Sequence, residues 1–186
     1  MPVSVSYSKE NATKYDRIFC LMSKKYRVPK LLLKALAIRE SALRPDAYRM
    51  EPEFWEKYCK GTPEWGDEDP ALVAASWGLC QLMYVVAVEL GFKKGRTGEE
   101  LCDPVVNIEL AAKKLRLILD TIYKYSIPDK NFMLLPIHIA LARYNGGGGA
   151  GPDNSGNLTE RTQKYADKVL KTWQELQEEE KECNDD

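Results

Sequence analysis

A mainly α fold, with little or no β structure, is predicted by three features of this 186-residue chain. Apolar residues recur at the 3.6-residue helical period over several long stretches. Helix-start signals of the Asp-Pro and Pro-Lys type precede those stretches. Strand-like alternation of apolar and polar residues is scarce. Hydrophobic residues make up 44% of the chain, which is a globular composition.

The elements follow in order. Tyr15, Ile18, Phe19 and Met22 mark a helix over 12–24. Pro29 opens a second helix, where a missing N–H costs nothing, and this helix runs to about Ser41, with Pro45 just beyond it. Residues 44–70 form a long acidic loop carrying Tyr48, Phe54, Trp55, Tyr58 and Trp65. Its aromatics argue against disorder, and a helical turn fits Pro52–Lys60. A helix over 80–90 stops at Gly91. Asp103 caps a long helix with Pro104 in its first position, and Ile108, Ala111, Ala112, Leu115, Ile118, Leu119 and Ile122 form its stripe. Further helices are expected over 131–144 and 160–177, separated by the glycine run that begins at Gly146. One domain is expected over 1–177, with a polar tail over 178–186.

Composition narrows the function. The net charge of −1 supplies no basic field for bulk nucleic-acid binding. No stretch approaches the roughly 18 apolar residues of a membrane span. Met1–Tyr7 lacks the pattern of a secretory signal, so synthesis in the cytoplasm is expected. Cys20, Cys59, Cys80, Cys102 and Cys183 show no Cys-x-x-Cys spacing. They read as small buried thiols plus a tail cysteine, with a Cys59–Cys102 disulfide left open. His138, the single histidine, lies between Ile137 and Ile139 and reads as a packed, hydrogen-bonded side chain. Without a second histidine, neither the usual metal sites nor a Ser-His triad is expected. The glycine run follows a helix and lacks the Gly-Lys-Ser/Thr ending of a phosphate loop. No metal and no cofactor are expected.

Glu40 is the candidate catalytic residue. It ends the apolar run Leu31–Ile38 and shares a helix face with Leu33, Leu36 and Ala37. Partial desolvation at the rim of a core raises a carboxyl pKa, as a general acid near neutral pH requires. Gly78 permits close backbone approach, and Gln81 offers both donor and acceptor to a sugar amide or hydroxyl. Tyr144 and Asn145 end a helix beside the glycine run, where their side chains can project into a cleft. Tyr165 can donate its hydroxyl to Glu40. Together these residues point to cleavage of a glycosidic bond by one acid.

The ordered segments Glu40-Ser41, Gly78-Leu79-Cys80-Gln81-Leu82-Met83, Ala142-Arg143-Tyr144-Asn145-Gly146-Gly147 and Tyr165-Ala166-Asp167-Lys168-Val169 resemble the soluble lytic transglycosylases, which share the goose-type lysozyme fold. The likeness covers about residues 28–172 and includes Leu101-Cys102-Asp103-Pro104. Tyr48-Arg49-Met50-Glu51-Pro52 with Ser76-Trp77-Gly78 is similar to compact phage and prophage versions. Three positions depart from the family pattern: Cys80 stands where methionine is usual, Tyr84 where proline is common, and Arg143 where a small or aliphatic residue is more frequent.

The resemblance implies a lysozyme-like helical domain acting on peptidoglycan. Glu40 would protonate the bond between N-acetylmuramic acid and N-acetylglucosamine, then act as base toward the muramyl 6-hydroxyl, giving a 1,6-anhydro end. Gln81, Tyr144 and Asn145 would hold the sugars, Ser41 and Tyr165 would support the acid, and Tyr48, Trp55 and Trp77 are candidate stacking faces, with core packing the expected role of at least one of them. Action at the bacterial cell wall, as a monomer in the periplasm or delivered by a virion, is the corresponding expectation. A hydrolytic lysozyme on the same fold would need a second carboxylate about 6.5–9.5 Å away, for which Glu51, Asp67, Glu68 and Asp69 are candidates. An inactive glycan-binding or virion module is the alternative outside enzymes.

Overall fold

A computed structural model describes residues 13–125, 134–152 and 157–182. The chain start, the first residues of the helix expected over 131–144, and Cys183 lie outside the described residues. The helices are α1 (Asp16–Tyr26), α2 (Lys30–Ser41), α3 (Pro52–Phe54), which continues as a π turn over Trp55–Cys59, α4 (Pro70–Val73), α5 (Tyr84–Glu89), α6 (Gly98–Leu101), α7 (Pro104–Tyr125), α8 (Leu134–Gly146) and α9 (Glu160–Glu182). The mainly helical expectation holds. The last helix runs past its expected end at 177, through residues assigned to a polar tail.

A small sheet accompanies the helices. Strands β1 (Tyr48–Met50), β2 (Ala75–Trp77) and β3 (Leu82–Met83) pair antiparallel in the order β1-β2-β3. Tyr48 faces Trp77, Arg49 faces Ser76, and Ser76 faces Met83. Segments of two or three residues are too short to show a period-2 pattern, which is why the sequence reads as almost free of β structure.

Helix α2 is the centre of the molecule. Every residue from Leu32 to Ile38 is buried, including Lys34, because α9, α1 and α7 all pack on it. A helix surrounded in this way is apolar on all sides rather than along one stripe. Lys34 is tolerated there through an ion pair with Asp16 of α1 at 2.7 Å. Helix α7 starts as expected: Asp103 Oδ1 accepts from the backbone N–H groups of Val105 and Val106 at 2.8 and 3.1 Å.

The loop over 44–70 is anchored by its aromatics. Trp65 packs edge-on against Tyr84, with centroids 6.3 Å apart, and Tyr84 packs edge-on against Phe92 at 5.9 Å. Tyr84 explains its own departure from proline. Its hydroxyl donates to the Arg96 carbonyl at 2.9 Å and accepts from the Gly95 N–H at 3.0 Å, which fixes the turn after α5.

Cys20, Cys59, Cys80 and Cys102 are free thiols, so the Cys59–Cys102 disulfide is not formed. Cys59 is buried at the end of the π turn, whereas Cys102 lies near Gly78 and Asp46. His138 is half-buried, as expected, with Nε2 3.3 Å from Asp167 of α9. No described helix is long and apolar enough to cross a membrane.

Candidate active site

Helix α2 ends immediately after Glu40. The Ala42 N–H returns to the Ile38 carbonyl at 2.9 Å. Ala42 and Leu43 then adopt left-handed backbone at φ 54° and 60°, a conformation that costs non-glycine residues free energy and persists only where surrounding packing enforces it. Leu43 is fully buried and provides that packing. The turn lifts the chain off α2 and leaves Glu40 in the helix's last turn.

Two effects favour the neutral form of Glu40. Burial is the larger and raises its pKa above the ordinary carboxylate value. The negative end of the α2 dipole acts in the same direction. Opposing them are a hydrogen bond donated by the Tyr165 hydroxyl and the charges of Arg49, Lys114 and Arg39. The net displacement is upward. Tyr165 is itself held strongly protonated by burial and by the adjacent carboxylate, so it remains a donor.

Beside the acid lies the turn Gly78–Gln81, fastened from three directions. Ser41 Oγ donates to the Leu79 carbonyl at 2.8 Å. The Tyr144 hydroxyl donates to the Cys80 carbonyl at 3.0 Å. From α7, Asn107 Oδ1 accepts from the Cys80 N–H at 2.8 Å, while its Nδ2 donates to the carbonyls of Trp77 and Leu101 at 2.9 and 3.0 Å. Gly78 adopts φ 73°, and a Cβ there would lie 2.5 Å from Asn107 Nδ2, so both the conformation and the close approach require glycine. Burial, with a smaller contribution from Glu40, pushes the Cys80 thiol far up and leaves it a small apolar filler.

The expected site residues therefore fall into two groups. Glu40 and Tyr165 are joined directly. Gln81 adopts φ 47°, and its Nε2 donates to the carbonyls of Ala47 and Gly78 at 3.1 Å each, tying β1's approach to the turn. Asn145 is half-buried at the end of α8. Ser41, expected to support the acid, and Tyr144, expected to project into a cleft, are both directed at the turn. Both are buried, and both hydroxyls are spent on backbone carbonyls of the turn, so they shape the site from beneath and do not project into a cleft.

Tyr48 is exposed and Trp77 half-buried, and the two rings touch. They stack edge-on at 4.6 Å, and the Trp77 ring covers Gly98, where a Cβ would meet it at 2.4 Å. Strand alternation places both on the face of the sheet opposite Arg49.

Sequence reasoning missed Asn107, Lys114 and Arg49. A polar residue within the apolar stripe of α7 was the available sign for Asn107. Lys114 Nζ donates to the Tyr144 carbonyl at 2.9 Å and lies 4.1 Å from the centroid of the Tyr144 ring. No signal marked it, because its partner is distant in sequence. Among the described residues no group of three or more His, Cys, Asp or Glu side chains is placed to hold a metal. The arrangement can deliver one proton from a shielded carboxyl group and take one back.

A family model described as "Transglycosylase SLT domain" matches residues 18–167. The fold is similar to the X-ray structure of an inactive mutant of the lytic transglycosylase Slt from Pseudomonas aeruginosa, with a TM-score of 0.59 and 20% sequence identity. That match covers 89% of this chain and 25% of the other, so the chain spans about a quarter of the length of that protein. No curated protein matches the chain.

Proposed function

Because the chain belongs to the transglycosylase SLT domain family, we propose that it is a peptidoglycan lytic transglycosylase in which Glu40 is the single general acid and base. The observation that carries this reading is the company Glu40 keeps. Its carboxyl group accepts the hydrogen bond of the Tyr165 hydroxyl at the end of α2, and burial holds its pKa above the ordinary carboxylate value.

The chemistry follows from a proton held on Glu40. It passes to the glycosidic oxygen that leaves with N-acetylglucosamine. The muramyl acetamido group stabilises the cationic centre at C1. Glu40, now ionised, takes the proton of the muramyl 6-hydroxyl as that oxygen bonds to C1. The ring closes to a 1,6-anhydro end, the acid is regenerated, and no water is consumed. Most glycosidases divide these tasks between two carboxylates.

Three of the four expected second carboxylates of the hydrolytic reading, all but Asp67, are engaged in other contacts. Glu51 Oε1 pairs with Arg49 at 2.7 Å, Glu68 pairs with Lys94 at 3.1 Å, and Asp69 Oδ1 caps α4 through the Ala71 N–H at 2.9 Å. Mass spectrometry of products released from purified peptidoglycan is the test. Muropeptides one water lighter than the reducing sugars support the proposal. Reducing ends alone would replace it with a muramidase.

Tyr165→Phe tests the support of the acid. Loss of the hydrogen bond removes a contribution that favours the ionised form, so the pKa of Glu40 rises further. We expect the alkaline limb of the pH–rate profile to move upward and kcat to fall about tenfold, with KM nearly unchanged. The cell wall is the proposed place of action, reached from a virion or through a lysis or secretion apparatus.

A further inference from the structure

Of the three departures from the family pattern, Cys80 packs as an apolar filler and Tyr84 fixes the turn after α5. Arg143 has no such role. It is half-buried in the last turn of α8. Its Nε is buried and meets no acceptor. Among the described residues, no carboxylate or carbonyl accepts from any nitrogen of its guanidinium group. Buried donors are nearly always satisfied, and a bare one carries a desolvation cost that a fully solvated arginine avoids.

Arg116 makes a useful contrast. Its Nε is also bare, but its terminal nitrogens donate to the Arg27 carbonyl at 3.4 Å and to Asp120 at 2.6 Å. A basic side chain near a helix C-terminus can also donate to the last carbonyls of its helix. Arg143 donates to none of them, so capping does not explain where its side chain goes.

The glycine run covers this guanidinium. A Cβ on Gly151 would lie 2.9 Å from Arg143 Nη2 and 3.2 Å from Nε, so any side chain at 151 would press on the group. Gly147, Gly148 and Gly149 are exposed, and a Cβ on any of them would meet nothing within 4 Å. The loop therefore brings no side chain to neutralise the arginine and none to screen it. The same loop borders the acid. Gly146 lies one turn beyond Arg143 on α8, and a Cβ there would be 3.3 Å from Thr162 Cγ2 of α9. Thr162 is one helical turn before Tyr165 and shares its face, and Tyr165 donates to Glu40. Tyr144, next to Arg143, holds the Cys80 carbonyl of the turn beside Glu40.

A guanidinium group presents parallel N–H donors that match the two oxygens of a carboxylate. The peptide stems of peptidoglycan carry such carboxylates. We infer that Arg143 is a specificity-determining residue that binds a stem-peptide carboxylate beside the Glu40 site. This rests on the peptidoglycan reading above. The bare fork is held ready under the glycine run, and a strand whose stem carboxylates are neutral gains nothing from it.

The test compares purified peptidoglycan with the same material after its stem carboxylates have been converted to amides with carbodiimide and ammonia. For the wild type, kcat/KM should fall about tenfold on the amidated strands. Arg143→Met should be about tenfold slower than the wild type on native strands, and its rates on the two substrates should agree within about twofold. The variant should melt no lower than the wild type, because it removes an unsatisfied donor. Binding is read apart from cleavage in Glu40→Gln with a soluble, stem-bearing muropeptide. The Arg143 Nε–H proton resonance, assigned with Arg143→Met, should move downfield with the native muropeptide and stay in place with its amidated form.

Equal wild-type rates on native and amidated strands would overturn the proposal. So would an Arg143→Met protein that is as fast as the wild type on native strands, or one that is slowed equally on both. If the variant does not fold, the wild-type comparison and the Nε–H resonance decide, the resonance then being assigned through its contacts to Gly151, and a resonance unmoved by the native muropeptide overturns it. The product is scored separately. A wild type that discriminates as expected but releases only reducing ends would refute the transglycosylase reading while the carboxylate site stands.

Discussion

Glu40→Gln is expected to reduce release of anhydromuropeptides from purified peptidoglycan by at least about a thousandfold, because glutamine has neither the proton to give nor the basicity to take one back. The fold should not suffer. Gln keeps a carbonyl oxygen that can accept from the Tyr165 hydroxyl, and it removes a buried charge. The sign of the stability change follows from the raised pKa. Between the unfolded and folded pKa values the native state binds more protons than the unfolded state, so stability falls as pH rises through that window. Above it the protein carries the full cost of an ionised Glu40. The variant should therefore melt higher than the wild type at neutral and mildly alkaline pH, and the two should converge near pH 4. A variant that melts lower throughout would show Glu40 to be a structural carboxylate, and retained activity would remove the acid from the mechanism.

The same physics made Glu40 legible in the sequence. A carboxylate at the end of an apolar helical run is costly unless it has a task, and the run Leu31–Ile38 announces its own burial. Tyr165 was legible through its segment, and the hydrogen bond to Glu40 is present. The supporting structure was not. Strands β1, β2 and β3 are too short for a period to register, and pairing Tyr48 with Trp77 depends on contacts far apart in the chain. Tyr144 carries a polar group that suits a sugar, and Ser41 one that suits the acid. Sequence could not show that the carbonyls of Leu79 and Cys80 would claim those groups first. Lys114 and Asn107 lie on a helix whose stripe reads as packing, so their non-local partners stay hidden until α7 is docked.

Asn107 should be the most costly side chain to lose for stability. It is fully buried within α7, and its single amide serves three backbone groups: the Cys80 N–H and the carbonyls of Trp77 and Leu101. Asn107→Ala strands all three. With about 1–3 kcal/mol per abandoned buried group, and some relief from water entering the space, a loss of about 4 kcal/mol is expected. For a domain of this size that lowers Tm by about 10 °C. Asn107→Asp should fare no better, since it keeps the acceptor for Cys80 but offers no donor to the two carbonyls and buries a charge. Activity should fall even at temperatures where the variant is folded, because the Gly78–Gln81 turn beside Glu40 loses its anchor. Gly78→Ala gives an independent check. Its new Cβ would meet the Asn107 amide at 2.5 Å, so the single substitution should destabilise through collision as well as through its left-handed backbone. In the Asn107→Ala background the collision partner is gone and only the backbone cost remains, about 1 kcal/mol. The double variant should thus be clearly more stable than the sum of the single losses predicts, a coupling that thermal melts of the four proteins measure directly. Additive losses would mean that the amide of Asn107 does not hold the turn against Gly78, and that some other contact fixes the backbone next to the acid.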